Sequence, residues 1–160
     1  LDTTVHAITS AIVGFAEFPD EWDKVVAEPK RAARLVDEIV RWRTPITYFY
    51  RATSRATTLG GVDLPEGAKL MVHYGAANHD PDMWDAPERF DIDRRATDHL
   101  GLGHGVHRCA GQIVARLEIE LIFAALARRV KRIELSAPLV IALNNTLHGF
   151  AKAQVKLTPV

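Results

Sequence analysis

One short stretch constrains this chain more than any other: HLGLGHGVHRCAGQ, from His99 to Gln112. It gathers four glycines, three histidines and the sole cysteine, Cys109, into fourteen residues. So much glycine makes a bendable loop, and the run that follows has the texture of a helix through about Arg129. Ile113, Val114 and Leu117 share one face of that helix, while Ile119, Leu121, Ile122, Phe123 and Leu126 fall nearly all round it. A helix apolar on every side is expected to be buried. Cys109 stands where loop becomes helix, and the free N–H groups and dipole of a first helical turn favour a negative sulfur. Gly111, just inside the helix, lets backbone come close to whatever the sulfur holds. Gly101, Gly103 and Gly105 can take positive φ or lie flat against a planar group. The pattern suits a thiolate presented to a large flat partner.

Taken alone, these residues leave other readings open. A lone cysteine is commonly a small buried hydrophobe. His99, His104, His107 and Cys109 are ligand types that suit one structural zinc, although H-x4-H-x2-H-x-C matches no common zinc spacing. A cysteine nucleophile with His107 as its base is weaker, because residues two apart across a turn rarely face each other.

The remaining chain sets bounds. Its 160 residues fit one domain, and 48% hydrophobic content supports a packed core. Twenty basic and twenty acidic side chains balance, so no basic excess points to nucleic acid. Apolar runs are too short for a membrane span. A single cysteine excludes an internal disulfide and fits a reducing, cytoplasmic setting. The opening LDTTVHAITSAIVGFAEF reads as a helix already under way, so the expectation is a single piece, 1–160, from the C-terminal part of a longer protein.

Periodicity then predicts a mainly α fold with small antiparallel sheets, of the α+β class. Helices are expected over 2–17, from an Asp20 cap to about Glu28, and from Pro29 to Thr44-Pro45. In the third, Ala32, Leu35, Val36, Ile39 and Val40 fall on one side. Glu38 and Arg41 fall opposite them, which by itself predicts a solvated ion pair. A small antiparallel sheet is expected over about 46–74, then a long aperiodic segment tied down by Trp84 and Phe90. Short strands with a turn near Asn144-Asn145 end the chain.

The pattern Leu102-Gly103-x-Gly105-x-His107-x-Cys109-x-Gly111 resembles the haem-binding loop of the cytochrome P450 family. The resemblance implies that the Cys109 thiolate is the proximal ligand of haem b, cradled by Leu102, Gly103, Gly105, His107 and Gly111. The family has an aromatic residue, nearly always Phe, where this chain has Leu102; the apolar cover is kept and the ring that tunes the iron is not. Other motifs follow in order. Glu38-x-x-Arg41 resembles the family's E-x-x-R signature, and Arg89 stands where the third member of its Glu-Arg-Arg cluster lies. Such a cluster would pin the long segment to the helix. Arg51 matches a propionate partner, as does His107. LDTT resembles the end of the A-G-x-D-T-T stretch, which makes Asp2 and Thr3 the expected proton-delivery pair. ANHDP resembles A-N-R-D-P, with His79 for Arg.

The implied reaction is monooxygenation of a small organic substrate, a hydroxylation or an O-demethylation, with NAD(P)H electrons arriving through a ferredoxin-type donor. Arg108 and Arg116 are expected to steer that acidic partner. The stretches 44–50 and 143–150 match substrate-contacting positions, here Ile46, Thr47, Tyr48 and Leu147. RATSRATTLGG, GHGVHRCAGQIVARLE and NNTLHGF resemble bacterial enzymes that oxidise para-substituted benzoates and related aromatic acids. Outside the resemblance stand a haem-free, self-associating helical module and the small zinc domain. Self-association is expected of the haem-thiolate fragment as of the helical module, and neither nucleic acid nor membrane is an expected partner.

Overall fold

The computed structural model describes residues 2–160. Five α-helices are assigned: α1 Asp2–Glu17, α2 Pro19–Ala27, α3 Ala32–Arg43, α4 Tyr74–Ala77 and α5 Gln112–Ala127. Strands β1 Tyr48–Ala52, β2 Thr57–Leu59, β3 Val62–Leu64 and β4 Lys69–His73 follow α3, and β5 Val130–Leu135, β6 Val140–Ile141, β7 Phe150–Lys152 and β8 Val155–Pro159 follow α5. Every ladder is antiparallel and two-stranded: β1 with β4, β2 with β3, β5 with β8 and β6 with β7.

Helix boundaries follow local chemistry. Proline at the first position of α2 costs no hydrogen bond, so the helix begins at Pro19 and Asp20 lies inside it rather than capping it. Pro29 opens a 3-10 turn, Pro29–Arg31, that leads into α3. Thr44 ends α3 in the left-handed conformation (φ 40°), its hydroxyl donating to the Arg41 carbonyl (2.9 Å). The sheet expected over 46–74 is instead two separate ladders. Thr53 exchanges bonds with Ala68, Gly67 and Pro65, turning the chain so that the 57–64 hairpin stands off from β1 and β4. That hairpin turns on Gly60 and Gly61, both at positive φ as a tight hairpin turn requires.

The core lies between α1, α2, α3, α5 and β5. Phe15, Trp22, Phe90, Phe123, Leu35 and Ile39 are fully buried there. Phe15 meets Trp22 at 4.9 Å and Phe90 at 5.4 Å in tilted and edge geometries, which aromatic quadrupoles prefer. Phe90 and Trp84 anchor the aperiodic segment as expected, and the Trp84 indole donates to the Ala77 carbonyl (3.1 Å).

Helix α5 departs from its expected all-round burial. Ile119, Phe123 and Ala127 are buried, but Ile113 is 76% exposed, Leu121 59% and Leu117 55%. Its opposite face has no partner among the described residues. The helix also starts at Gln112 with Gly111 as N-cap, so Cys109 lies in the loop before it and not at its first turn.

Candidate functional site

The site is built on α3. Glu38 and Arg41 are both fully buried, which overturns the solvated pair that the helical wheel suggested. Arg41 donates from Nε and Nη2 to the two carboxylate oxygens of Glu38 (2.8 and 2.9 Å). Its other donors reach the carbonyls of Asn78 (2.9 Å), Pro87 (2.8 Å) and Arg89 (3.1 Å). All five guanidinium N–H groups are thereby satisfied, the condition under which the desolvation cost of burying that charge can be offset. The wheel missed this because the cover comes from the aperiodic segment.

The expected third member of the cluster is corrected. The Arg89 side chain is half exposed and turns to Asp20 and Glu21 of α2 (3.2 and 3.4 Å). Arg94 takes its place, with Nε 3.3 Å from Glu38 and further bonds to the carbonyls of Asp85 and Ala86. Only the Arg89 carbonyl joins the network.

The loop that carries Cys109 folds on itself. Gly103 N–H donates to the Leu100 carbonyl (2.8 Å), and Cys109 N–H donates to the Leu102 carbonyl (2.8 Å). A 3-10 turn spans Gly105–His107. Gly103 and Gly105 have φ of 73° and 58°, which makes glycine the natural residue at both. Cys109 is exposed at the end of this turn.

Upstream and downstream of the loop stand two residues joined by Asp37. His99 Nε2 is 3.2 Å from Asp37 Oδ1, and Arg116 donates to both carboxylate oxygens. Burial pushes the Asp37 carboxyl up, but the bonds from His99 and Arg116 outweigh it and hold it well below the usual carboxylate range. Nothing in the sequence marked Asp37, whose partners lie 62 and 79 residues away. The zinc alternative fails on this geometry. His99 is turned onto Asp37, and among the described residues no group of three or more His, Cys, Asp or Glu could hold a metal.

A cavity of about 610 Å³ opens beside Cys109. Its walls include Cys109, Leu102, Gly103, Gly111, His107 and Arg51, and Thr3 of α1. Gly105 and Asp2 are not among its lining residues. Of the expected substrate residues, Ile46 lines it, joined by Pro45 and Phe49 from the same stretch. Thr47 faces a second cleft with Trp42, Arg43 and His148, and Tyr48 and Leu147 line neither. Leu147 instead bridges Ile46, bringing the 143–150 turn against the 44–50 stretch. Arg51 donates to the Tyr50 carbonyl (2.9 Å) and the Tyr74 hydroxyl (3.2 Å), and Tyr74 lines the cavity too.

The cytochrome P450 family model matches residues 2–147. The chain belongs to the cytochrome P450 family. It is 46% identical over 159 residues to a cytochrome P450, CYP199A2, of Rhodopseudomonas palustris, covering 99% of this chain and 39% of that protein. A steroid C26-monooxygenase of Rhodococcus jostii is 45% identical over 79% of the chain and 26% of its own length. Among solved structures, CYP108D1 from Novosphingobium aromaticivorans superposes with a TM-score of 0.94 at 33% identity, over 99% of this chain and 39% of that one. The chain thus spans between about a quarter and two fifths of these relatives' length.

The cofactor of this family is haem held by a cysteine thiolate, and the residues present fit it. Haem is a flat apolar disc with carboxylates at one edge. The cavity offers an exposed sulfur in a wall of Leu102, Val36, Val40 and Ile119, with glycine backbone beside it. Arg51 reaches the same cavity with guanidinium N–H groups left over for a carboxylate.

Proposed function

We propose that this chain is the haem-bearing part of a bacterial haem-thiolate monooxygenase. One observation carries the reading: the sole cysteine is exposed in the wall of an apolar cavity, just before a helix N-terminus. Cys109 would hold the iron, and Arg51 and His107 would take the propionates. Bound there, haem supplies the activation of dioxygen that lets one oxygen atom enter a C–H bond. The chain's own task is to orient and insulate. Leu102 covers the sulfur side, Val36 and Val40 keep water from that wall, and Thr3 stands on the cavity to pass a proton. The Asp2 side chain, absent from the wall, would act through solvent.

The substrate reading is a small aromatic acid of the para-substituted benzoate kind. It is supported by the sequence resemblance of the 51–61 and 144–150 stretches and by the apolar wall of Pro45, Ile46 and Phe49. Electrons from NAD(P)H would arrive through a ferredoxin-type donor on the face of Arg108. Arg116 contributes less to that face than its charge suggests, because Asp37 already takes both its Nη groups. Among the described residues no helix is long and apolar enough to cross a membrane, and a cytoplasmic setting is part of the proposal. The exposed apolar face of α5 supports self-association of the isolated chain, checked by sedimentation velocity.

The test is an absorption spectrum of the haem-loaded chain, reduced under carbon monoxide. Wild type is expected to show a strongly red-shifted Soret band, and Cys109→Ser to lose it. A band at the same unshifted position in both proteins would overturn the proposal.

A further inference from the structure

The loop from Leu102 to Gly111 presents Cys109, yet among the described residues none of its side chains makes a hydrogen bond. Its own bonds are backbone turns. Leu102 packs on the core, and the polar side-chain fastening lies at the loop's ends. At the upstream end three consecutive residues are fastened to α3. His99, with its side chain 2% exposed, contacts Asp37 through Nε2 and accepts the Gly101 N–H at Nδ1 (3.0 Å). That pattern places the ring proton on Nε2, facing the carboxylate. The Leu100 N–H donates to Asn78 Oδ1 (2.8 Å), and the buried Asn78 amide donates to Thr44 at the end of α3 (2.9 Å). Gly101 lies so close to α3 that an added Cβ would stand 2.5 Å from Val40 Cγ1.

At the downstream end, on α5, Arg116 grips the same Asp37 carboxylate in a bidentate pair. A fork-on-fork pair fixes direction as well as distance. We propose that Asp37 is a positioning residue: its one carboxylate clamps both ends of the Cys109 loop to α3 and so sets where the sulfur stands in the cavity wall. Its effect on haem rests on the haem-thiolate reading above; the clamp itself does not.

The test uses the 160-residue chain and reads amide hydrogen exchange in its haem-free state, then haem affinity. Asp37→Ala is expected to speed exchange at Leu100 and Gly101 about tenfold and to weaken haem binding by a similar factor, the scale of outer-shell effects on metal sites. Arg116→Gln touches neither amide, yet it is expected to speed exchange at both, because it frees the carboxylate that holds His99. In the Asp37→Ala background it should add nothing. Arg116 is partly exposed, so this variant carries the test if Asp37→Ala does not fold. Unchanged exchange at Leu100 and Gly101 in Arg116→Gln, or strictly additive effects in the double variant, would overturn the clamp. An ordinary α3–α5 ion pair would lower stability without moving those two amides. If wild type shows no thiolate spectrum, the haem reading fails while the exchange data still decide the clamp.

Discussion

Helices α3 and α5 pack against each other, and their outer faces are opposites. The outer face of α3 is charged and sealed: Glu38 and Arg41 are fully buried, with every Arg41 donor matched. The outer face of α5 is apolar and open at Ile113, Leu117 and Leu121. Burial follows from what covers a face, not from its polarity. The segment 78–94 brings carbonyls to Arg41 and closes α3. No described residue does the same for α5, in a chain that spans between about a quarter and two fifths of its relatives' length.

Four expected outcomes break or sharpen that contrast. Arg41→Ala should cost the most, about 3–5 kcal/mol, because it leaves the buried Glu38 charge with only the longer Arg94 contact and the Asp91 N–H. Urea denaturation reads this, and a loss near zero would show the network to be ornamental. Next comes acid. Asp37 has a folded-state pKa below its unfolded one, so its contribution is complete above about pH 4 and fades as pH falls below that. Thermal melts of Asp37→Asn should therefore converge with wild type at low pH and diverge near neutrality. Arg89→Ala should cost less than about 1 kcal/mol, since its guanidinium is half exposed. Arg94→Ala should cost more than Arg89→Ala, and the reverse order would restore Arg89 to the cluster. Leu117→Ser on the open face should stay within about 0.5 kcal/mol for the monomer. A large destabilisation there would mean that the face is covered after all.

The same contrast explains what could be read from sequence. The helices over 2–17 and 32–43 were legible because apolar spacing and proline stops act locally. The Cys109 loop was legible for a related reason: glycine, cysteine and a helix start are adjacent in the chain. The burial of Glu38 and Arg41 was not, because their cover has no periodicity. The choice of Arg94 over Arg89 was hidden too. Both lie in that segment, and the turn at Ala86 (φ 44°) and the fold beyond it decide which guanidinium reaches Glu38. The α5 error ran the other way: a helix apolar all round predicts a partner but cannot say that the partner lies within the chain. Asp37 was invisible because its partners are distant in sequence. The substrate stretch was half legible. Both residues precede β1, where Ile46 makes an isolated bridge to Leu147, and there Ile46 faces the cavity while Thr47 faces the second cleft.

The most direct test of the central claim is iron-edge X-ray absorption on the haem-loaded chain. One sulfur neighbour at the iron in wild type, absent in Cys109→Ser, is the predicted result. Wild-type iron with only nitrogen and oxygen neighbours, haem being bound, would contradict it.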